Sequence, residues 1–227
     1  MPIRAVLFDH DGTLVDSEPT HFRMWQEVLT PYGVALSEKQ YRDNYAGVPT
    51  ASNAVDMVSR FAIDVAPAVL ADAKNSATRT FLTRTAFSLM PGVREVLPLI
   101  RSGGLRLAIV TGAGSNGVQA TLRVHALHEF FETVVSGDDV TRSKPAPDCH
   151  LLAIERLGLH PSECIAIEDT EHGVNAATSA GIGCLAVPTD MSRHHDFSNA
   201  IAVLGELRAA ASWIQNHADC RHSGSQR

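Results

Sequence analysis

The chain has 227 residues, 44% hydrophobic and 19% charged, so it can bury a sizeable core and is neither disordered nor fibrous. Its 25 acidic and 19 basic residues give a formal net charge of -6, which argues against a nonspecific grip on nucleic acid or an anionic membrane. The apolar runs are too short to cross a bilayer and no signal-peptide pattern precedes them, so we expect a cytoplasmic protein.

Short aliphatic runs alternate with helical patterns over most of the chain. The aliphatic runs predict buried parallel strands at residues 3–8, 105–111, 133–136, 164–167 and 184–187. Helices are predicted between them, at residues 93–102, 116–124, 148–157 and 173–180. Such alternation is typical of an α/β fold, so we expect a doubly wound, Rossmann-like, mostly parallel sheet.

One long segment breaks the alternation. Residues 17–89 contain helical patterns separated by polar turns and no convincing strand. We therefore expect an α/β core made of residues 1–16 and 90–219, with residues 17–89 inserted as a helical cap domain. The polar residues 220–227 are expected to form a flexible tail.

Two carboxylates follow the first predicted strand directly. Asp9 and Asp11 lie where the strand opens into a loop, and Gly12 permits the backbone turn that lets both side chains converge. Open α/β sheets bind ligands at this edge, and paired carboxylates suit Mg2+. For this string taken alone, a simple Asx-type turn is the better interpretation, because turn residues cluster at strand ends.

Three later segments also follow predicted strands. Thr111 and Gly112 offer a hydroxyl and flexible backbone N–H groups that can hold phosphate oxygens. Lys144 supplies a point charge, and Pro145 after it is predicted to begin a helix. Residues 168–169 supply a second carboxylate pair. Each segment alone has a plain structural explanation, but at four strand ends in one chain they predict a phosphoryl-transfer site.

The ordered motifs resemble those of the haloacid dehalogenase (HAD) superfamily of phosphotransferases, and the resemblance covers nearly the whole chain. It implies that the sheet is a HAD-like core with an inserted cap. By the same resemblance, Asp9 is the nucleophile and Asp11 the general acid and base, while Thr111 and Lys144 bind the transferred phosphoryl group. Covalent catalysis of this kind divides one difficult displacement into two easier ones.

The resemblance also implies a metal site. Asp9, the backbone carbonyl of Asp11 and Asp169 would hold Mg2+, with Glu168 ligating directly or through water. Because Asp11 must be protonated when the alcohol leaves, we expect its pKa to be raised, whereas Asp9 facing the metal should stay ionised.

A competing motif follows the strand predicted at 105–111. Residues 112–117 match the GxGxxG signature of dinucleotide-binding folds, and Glu132 or Asp138 could serve as the acid that such a site requires. An NAD-binding protein is therefore an alternative, although it leaves the carboxylate pairs and the lysine without a role. In the phosphatase interpretation, Gly112 and Asn116 are instead candidate substrate contacts.

Substrate choice should come from the insertion. Residues 19–32 carry apolar side chains at the spacing of a helix that packs one face. His21 and Trp25 lie one turn apart there and could present an imidazole and a flat ring to a sugar. The alternative is that Trp25 packs in the core and His21 is a capping or surface residue, because helical aromatic stripes are mostly core.

Residues 17–21 and 47–50 resemble segments of capped sugar-phosphate phosphatases and of the closely similar β-phosphoglucomutases. The substrate contacts that this resemblance implies are His21, Trp25, Gly47, Thr50 and Lys74. Where the mutases carry a lysine and an arginine for a second phosphate, this chain has Ala46 and Thr50, which favours hydrolysis over mutation. Lys74 aligns only loosely, and an exposed helix lysine is its plainer interpretation.

We therefore expect a Mg2+-dependent phosphatase acting on a small phosphorylated sugar or polyol. No nucleic-acid or membrane partner is expected, and the protein should be a monomer or a weak dimer. The nearest alternative is a phosphomutase of the β-phosphoglucomutase type. Two further alternatives are a noncatalytic phosphate-sensing module, which the intact Asp9 and Asp11 argue against, and a metal-independent dehalogenase, which the second carboxylate pair argues against.

Overall fold

The structure is a computed structural model that describes residues 2–218. The chain divides into two compact units, an α/β unit made of residues up to Asp16 together with those from Ser88 onward, and a helical unit at Ser17–Phe87. The tail expected at residues 220–227 lies outside the described residues.

The strands of the described residues all belong to the α/β unit. In chain order they are β1 (Ala5–Phe8), β2 (Val15–Asp16), β3 (Ser88–Leu89), β4 (Arg106–Val110), β5 (Thr133–Val135), β6 (Cys164–Glu168), β7 (Gly183–Ala186) and β8 (Ala202–Val203). Six of them form one sheet in the order β5-β4-β1-β6-β7-β8, and every pairing is parallel. This confirms the doubly wound, mostly parallel sheet predicted from the sequence.

The strand order places a ligand-binding edge beside β1. From β1 the sheet grows outward through β4 to β5, and the chain then crosses to the other side of β1 and continues from β6 to β8. The loops that follow β1 and β6 therefore leave the sheet in opposite directions and open a crevice at the carboxyl ends of these strands.

Helices α1 to α4 belong to the helical unit, and α5 to α9 belong to the α/β unit. Their bounds are α1 (Glu18–Leu29), α2 (Glu38–Asn44), α3 (Thr50–Arg60), α4 (Pro67–Arg84), α5 (Val93–Ser102), α6 (Ser115–His125), α7 (Asp148–Leu157), α8 (Glu171–Ser179) and α9 (Leu207–Ala218). No helix within residues 2–218 is long and apolar enough to span a bilayer.

The innermost strand, β1, is apolar at every position, as expected for a parallel strand that is covered on both faces of the sheet. All four residues of β1 are buried, and Ala5 and Leu7 lie in the same core cluster as Ala153 of α7 and Val174 of α8. A buried parallel sheet of this kind fixes where each strand ends, and therefore where the residues that follow each strand can meet.

A short antiparallel pair of strands, β2 and β3, lies where the chain leaves the α/β unit for the insertion and where it returns. Val15 pairs with Leu89 and Asp16 with Ser88. The boundary expected at residue 89 is therefore two residues later than the observed one at Phe87, since Ser88 and Leu89 form a strand of the α/β unit. Strand pairing of only two residues leaves no periodic signal in the sequence.

The helical unit has its own hydrophobic core. Its cluster of buried side chains includes Trp25 and Leu29 of α1, Tyr41 of α2, Met57 of α3 and Leu70 of α4. Each helix therefore contributes apolar side chains to one shared interior, as the sequence pattern predicts for residues that pack one helix face.

Candidate active site

The first carboxylate loop leaves β1 through a turn that glycine makes possible. The backbone N–H of Asp9 donates to Ile167 O at 3.0 Å and extends the pairing with β6, after which Gly12 takes a φ of +83°. A Cβ at Gly12 would lie 2.1 Å from Asp169 Oδ2. Only glycine allows Asp169 this close to the loop, so the structure brings the first and last predicted motifs together.

Lys144 joins these motifs through three hydrogen bonds. Its Nζ donates to Asp9 Oδ1 at 2.6 Å, to Glu168 Oε1 at 2.7 Å and to Val110 O at 2.8 Å. Burial lowers the pKa of Lys144, but attraction to Asp9 and Glu168 outweighs burial and leaves the pKa above its usual value. Lys144 is therefore a fixed cation beside Asp9.

Asp9 and Asp169 carry negative charge that the site only partly compensates. Burial, which outweighs the attraction to Lys144, raises the pKa of Asp9 to about 7. Burial and repulsion by Asp9 and Glu168 raise the pKa of Asp169 well above its usual value. Lys144 alone therefore does not offset the effect of burial on Asp9, and the ionised state expected for an Asp9 that faces a metal stays a prediction.

Glu168 is turned toward Lys144 and the interior. Its Oε1 accepts from Lys144 and lies 3.1 Å from His150 Nε2, while a Cβ at Gly173 would lie 1.9 Å from Oε2. Burial raises the pKa of Glu168, but attraction to Lys144 and His150 brings it below the usual value. The Glu168 carboxylate therefore holds Lys144 in place, and its ligation of a metal, directly or through water, stays a prediction.

Within residues 2–218, no three His, Cys, Asp or Glu side chains are grouped as a ready-made set of metal ligands. A divalent ion at this edge would therefore have to rely on Asp9, Asp169, backbone carbonyl oxygen and water. Such a mixed set suits Mg2+, which keeps several waters in most protein sites.

The loop after β4 brings the hydroxyl of Thr111 and the backbone of Gly112, which has no side chain, to the carboxyl edge of the sheet. Thr111 is buried, and its Oγ1 accepts a hydrogen bond from the backbone N–H of Ala113 at 3.1 Å. This bond uses a lone pair of Oγ1 and does not involve the hydroxyl proton. Gly112 O accepts from Ser143 Oγ at 3.1 Å, which ties this loop to the segment that carries Lys144. Asn116, in the first turn of α6, is exposed.

Two details of the Lys144 segment differ from the sequence prediction. The Lys144–Pro145 peptide bond is cis, and Pro145 lies in a turn, so the prediction that Pro145 begins a helix was wrong. The helix α7 begins three residues later, at Asp148. His150 was not predicted from the sequence, where its only signal is a histidine on a face of α7 that is otherwise apolar.

The GxGxxG string does not form a dinucleotide site. Both the backbone N–H and the Oγ of Ser115, at the start of α6, donate to Asp138 Oδ2 at 2.8 Å. A carboxylate thus occupies the helix N-terminus where a pyrophosphate would bind. Glu132 is paired with Arg106 at the opposite, amino end of β4, so neither nominated acid is placed to bind a ribose.

His21 and Lys74 form a close pair in the helical unit. Lys74 Nζ lies 3.0 Å from His21 Nδ1, and the His21 ring contacts Phe87 edge to face at 4.9 Å between centroids. The side chain of Lys74 is buried, with a relative exposure of 5%, so the interpretation as an exposed helix lysine was wrong. The pair joins α1 to α4 and places two nitrogen-bearing groups together.

The other candidates of the helical unit have different settings. Trp25 is 1% exposed within the core cluster, so it packs in the core, which was the alternative to a role in substrate binding. Its ring has no free face for a substrate. Gly47 has a φ of +72° and its N–H donates to Glu18 Oε1 at 3.0 Å, which holds the loop before α3 against the start of α1. Thr50 is the first residue of α3.

Comparisons with known proteins find similar proteins over most of the chain. A sequence model described as haloacid dehalogenase-like hydrolase matches residues 6–187, which include every motif of the carboxyl edge. Fructose-1-phosphate phosphatase YqaB of Escherichia coli (strain K12) is 35% identical over 188 residues, 81% of this chain and 95% of that protein. Protein CbbY of Cereibacter sphaeroides is 32% identical over 212 residues, 89% of this chain and 91% of that protein.

A solved structure extends the similarity to three dimensions. The crystal structure of CbbY from Rhodobacter sphaeroides in complex with phosphate matches with a TM-score of 0.76 and 29% identity, and the match covers 91% of this chain and 98% of that chain. The likeness therefore includes residues of both the α/β unit and the helical unit.

Proposed function

The chain belongs to the haloacid dehalogenase-like hydrolase family, as its motifs indicated, and from this premise we propose a specific reaction. The protein is a phosphatase that hydrolyses a small phosphorylated sugar or polyol, with Mg2+ as cofactor and a phosphorylated Asp9 as intermediate. The observation that carries the proposal is Lys144, which bonds both Asp9 and Glu168 beside the buried Asp169.

The charge of the site supports Mg2+ as the cofactor. When all three are ionised, Asp9, Glu168 and Asp169 leave two negative charges in excess over Lys144 in a buried cluster. An excess of this size is the charge that one divalent cation compensates. Asp9, Asp169 and the backbone carbonyl of Asp11 would hold the ion, which supplies positive charge to the phosphoryl oxygens.

The chemistry then follows from the residues of the edge. A carboxylate oxygen of Asp9 attacks phosphorus, the bond from phosphorus to the ester oxygen breaks, and Asp11 gives its proton to the departing alcohol. Water next attacks the phosphorylated Asp9 and gives a proton to Asp11, which releases inorganic phosphate and restores the Asp9 carboxylate. Lys144 and the Thr111 hydroxyl hold the phosphoryl oxygens during both steps.

The helical unit is proposed to set the preference for a sugar. His21 and Lys74 supply the hydrogen-bonding pair, while Gly47 and Thr50 lie in and directly after the loop before α3. YqaB is named for fructose 1-phosphate, which supports the substrate class proposed here. Ala46 and Thr50 carry no charge with which to hold a second phosphate, which supports a phosphatase and not a mutase.

A phosphate-release screen over phosphorylated metabolites, with Mg2+ or with a chelator, tests the proposal. We expect a sugar or polyol monophosphate to be the fastest substrate and activity to disappear with the chelator. The variant Asp9→Asn, the matched control, should lose turnover by at least about 10^4-fold, since no nucleophile remains. Near-normal turnover of Asp9→Asn would remove Asp9 as the nucleophile.

The same screen separates the alternatives. A phosphomutase would require a sugar bisphosphate and release little inorganic phosphate from monophosphates. A phosphate-sensing module would bind phosphate esters, as measured by calorimetry, and turn none of them over. A dehalogenase would release halide from a halogenated acid without Mg2+. Any of these three outcomes would overturn the proposed reaction.

A further inference from the structure

A buried histidine lies between the two aspartates of the first motif. His10 is 1% exposed, and its ring joins two groups that are far apart in the sequence. Its Nδ1 lies 3.0 Å from Asp11 Oδ2, and its Nε2 lies 3.0 Å from the Oγ1 of Thr121, which is fully buried on α6. The ring thus connects the loop after β1 to a helix of the α/β unit.

The two contacts together favour one tautomer of the ring. An ionised carboxylate can only accept a hydrogen bond, so Nδ1 carries the hydrogen and donates to Asp11 Oδ2. Nε2 of the neutral ring is then an acceptor, and the hydroxyl of Thr121 donates to it. A hydroxyl can rotate to fill this role, so Thr121 accommodates the tautomer that the ionised Asp11 carboxylate selects, and it holds the ring in place.

We propose that His10 is a positioning residue that fixes the orientation of Asp11 for proton transfer, an inference that rests on the proposed phosphatase function. For as long as Nδ1–H donates to Oδ2, this oxygen is an acceptor and a proton taken up by Asp11 goes to its other oxygen. The proton that Asp11 transfers is therefore carried on Oδ1. His10 touches neither substrate nor reacting atoms and acts only through Asp11.

Simple packing does not account for this arrangement. A buried imidazole costs free energy unless both nitrogens are hydrogen-bonded, and an apolar side chain would fill the same space without that requirement. Thr121 is likewise a polar group in a buried helix position, where its hydroxyl is directed to His10. Two buried polar groups are hydrogen-bonded to each other, and the histidine is in turn hydrogen-bonded to the Asp11 carboxylate. Such a buried network indicates a functional constraint.

The test compares two aryl phosphates that differ in the basicity of the leaving group, phenyl phosphate and p-nitrophenyl phosphate. Phenolate is the more basic leaving group and needs the proton from Asp11 more than p-nitrophenolate does. The quantity measured is kcat/KM with Mg2+ present, because it covers only the steps through departure of the leaving group. Hydrolysis of the phosphorylated Asp9, which both esters share, then does not mask the effect.

Four variants are compared with the wild type. His10→Phe keeps the ring and removes the donor, and should lower kcat/KM for phenyl phosphate at least about tenfold more than for p-nitrophenyl phosphate. His10→Asn keeps an amide N–H at the Nδ1 position and should restore most of the difference. Thr121→Val removes the distal hydroxyl and should shift the ratio in the same direction as His10→Phe, by a smaller factor. Asp11→Asn is the reference and should show the largest ratio.

The outcomes separate this inference from the proposed function. If Asp11→Asn discriminates between the two esters and His10→Phe slows both equally, His10 is only structural and the inference fails alone. If Asp11→Asn itself shows no discrimination, the role of Asp11 in the proposed function fails first. Thermal unfolding of each variant identifies any loss of folding, and in that case the ratio from Thr121→Val, which leaves His10 in place, decides the question.

Discussion

The α/β unit and the helical unit hold their candidate residues in different ways. In the α/β unit, Lys144 lies 2.6 Å from Asp9 and 2.7 Å from Glu168, although the three residues come from segments that are far apart in the sequence. In the helical unit, His21 pairs with Lys74, but Trp25, one turn away from His21, is core. Position at the end of a parallel strand therefore predicts convergence, whereas helical spacing does not separate binding side chains from packing ones.

The largest expected effect lies in the α/β unit, where Lys144→Met removes the fixed cation. Loss of this charge should lower kcat/KM for p-nitrophenyl phosphate by about 10^2- to 10^3-fold, because the phosphoryl oxygens lose a donor in a buried site. The matched control is Arg142→Met, which removes a cation of the same loop that is 71% exposed and pairs with Asp148. Steady-state kinetics should place that control within about twofold of the wild type.

A small effect of Lys144→Met on kcat/KM, comparable to that of Arg142→Met, would break the comparison between the two units. It would mean that convergence at the strand ends is structural and that the positive charge on the phosphoryl group comes from elsewhere. Circular dichroism and thermal unfolding of both variants show whether the fold survives, since Asp9 and Glu168 remain buried without their partner.

A smaller effect is expected from His21→Ala in the helical unit. Turnover of the best sugar phosphate should fall about 10- to 100-fold, and that of p-nitrophenyl phosphate by less than about threefold, since only the sugar substrate uses the contact. Lys39→Ala, an exposed cation of α2 paired with Asp43, is the control and should change neither value. Equal losses on both substrates would make His21 a packing residue like Trp25.

The variant Trp25→Phe sharpens the same comparison from the packing side. Shrinking a fully buried ring should cost about 1–2 kcal/mol of unfolding free energy, less than the loss expected for complete truncation. The ratio of sugar phosphate to p-nitrophenyl phosphate turnover should stay unchanged. Urea unfolding and the two kinetic assays measure both quantities, and a selective loss of sugar phosphate turnover would restore Trp25 as a binding residue.

The fold followed from the sequence where the pattern was long and repeated. The bounds predicted for α5 and α7 are those observed, because a buried helix face and a terminal glycine mark both ends. The strand β8 and the helix α9 were not predicted. The strand has two residues, too few for a period, and it lies at the edge of the sheet.

From the sequence, the site could be predicted only as a set of residue types that lie at strand ends. Which carboxylate Lys144 would bind, and that Glu168 would face His150, depends on contacts between segments distant in the chain. Lys74 shows the same limit, because its burial comes from packing against α1 and not from its own helix pattern. Spacing places a residue on an element, but only tertiary packing selects its partner.

The smallest expected effect is a change of stability with pH that depends on the cation. The pKa of Asp9 rises from 3.8 to about 7 on folding, so the unfolded chain loses this proton first and the free energy of unfolding falls as pH rises toward 7. The pKa of Asp169 shifts in the same direction.

Added Mg2+ should offset this loss of stability, raising the melting temperature by about 2–4 °C more near about pH 8 than near about pH 5. Asp9→Asn should flatten the pH dependence and be more stable than the wild type in a chelator near about pH 8. If Mg2+ raised the melting temperature equally at both pH values, protonation of the buried carboxylates would not be coupled to cation binding. The difference between the two units would then be a difference in packing only.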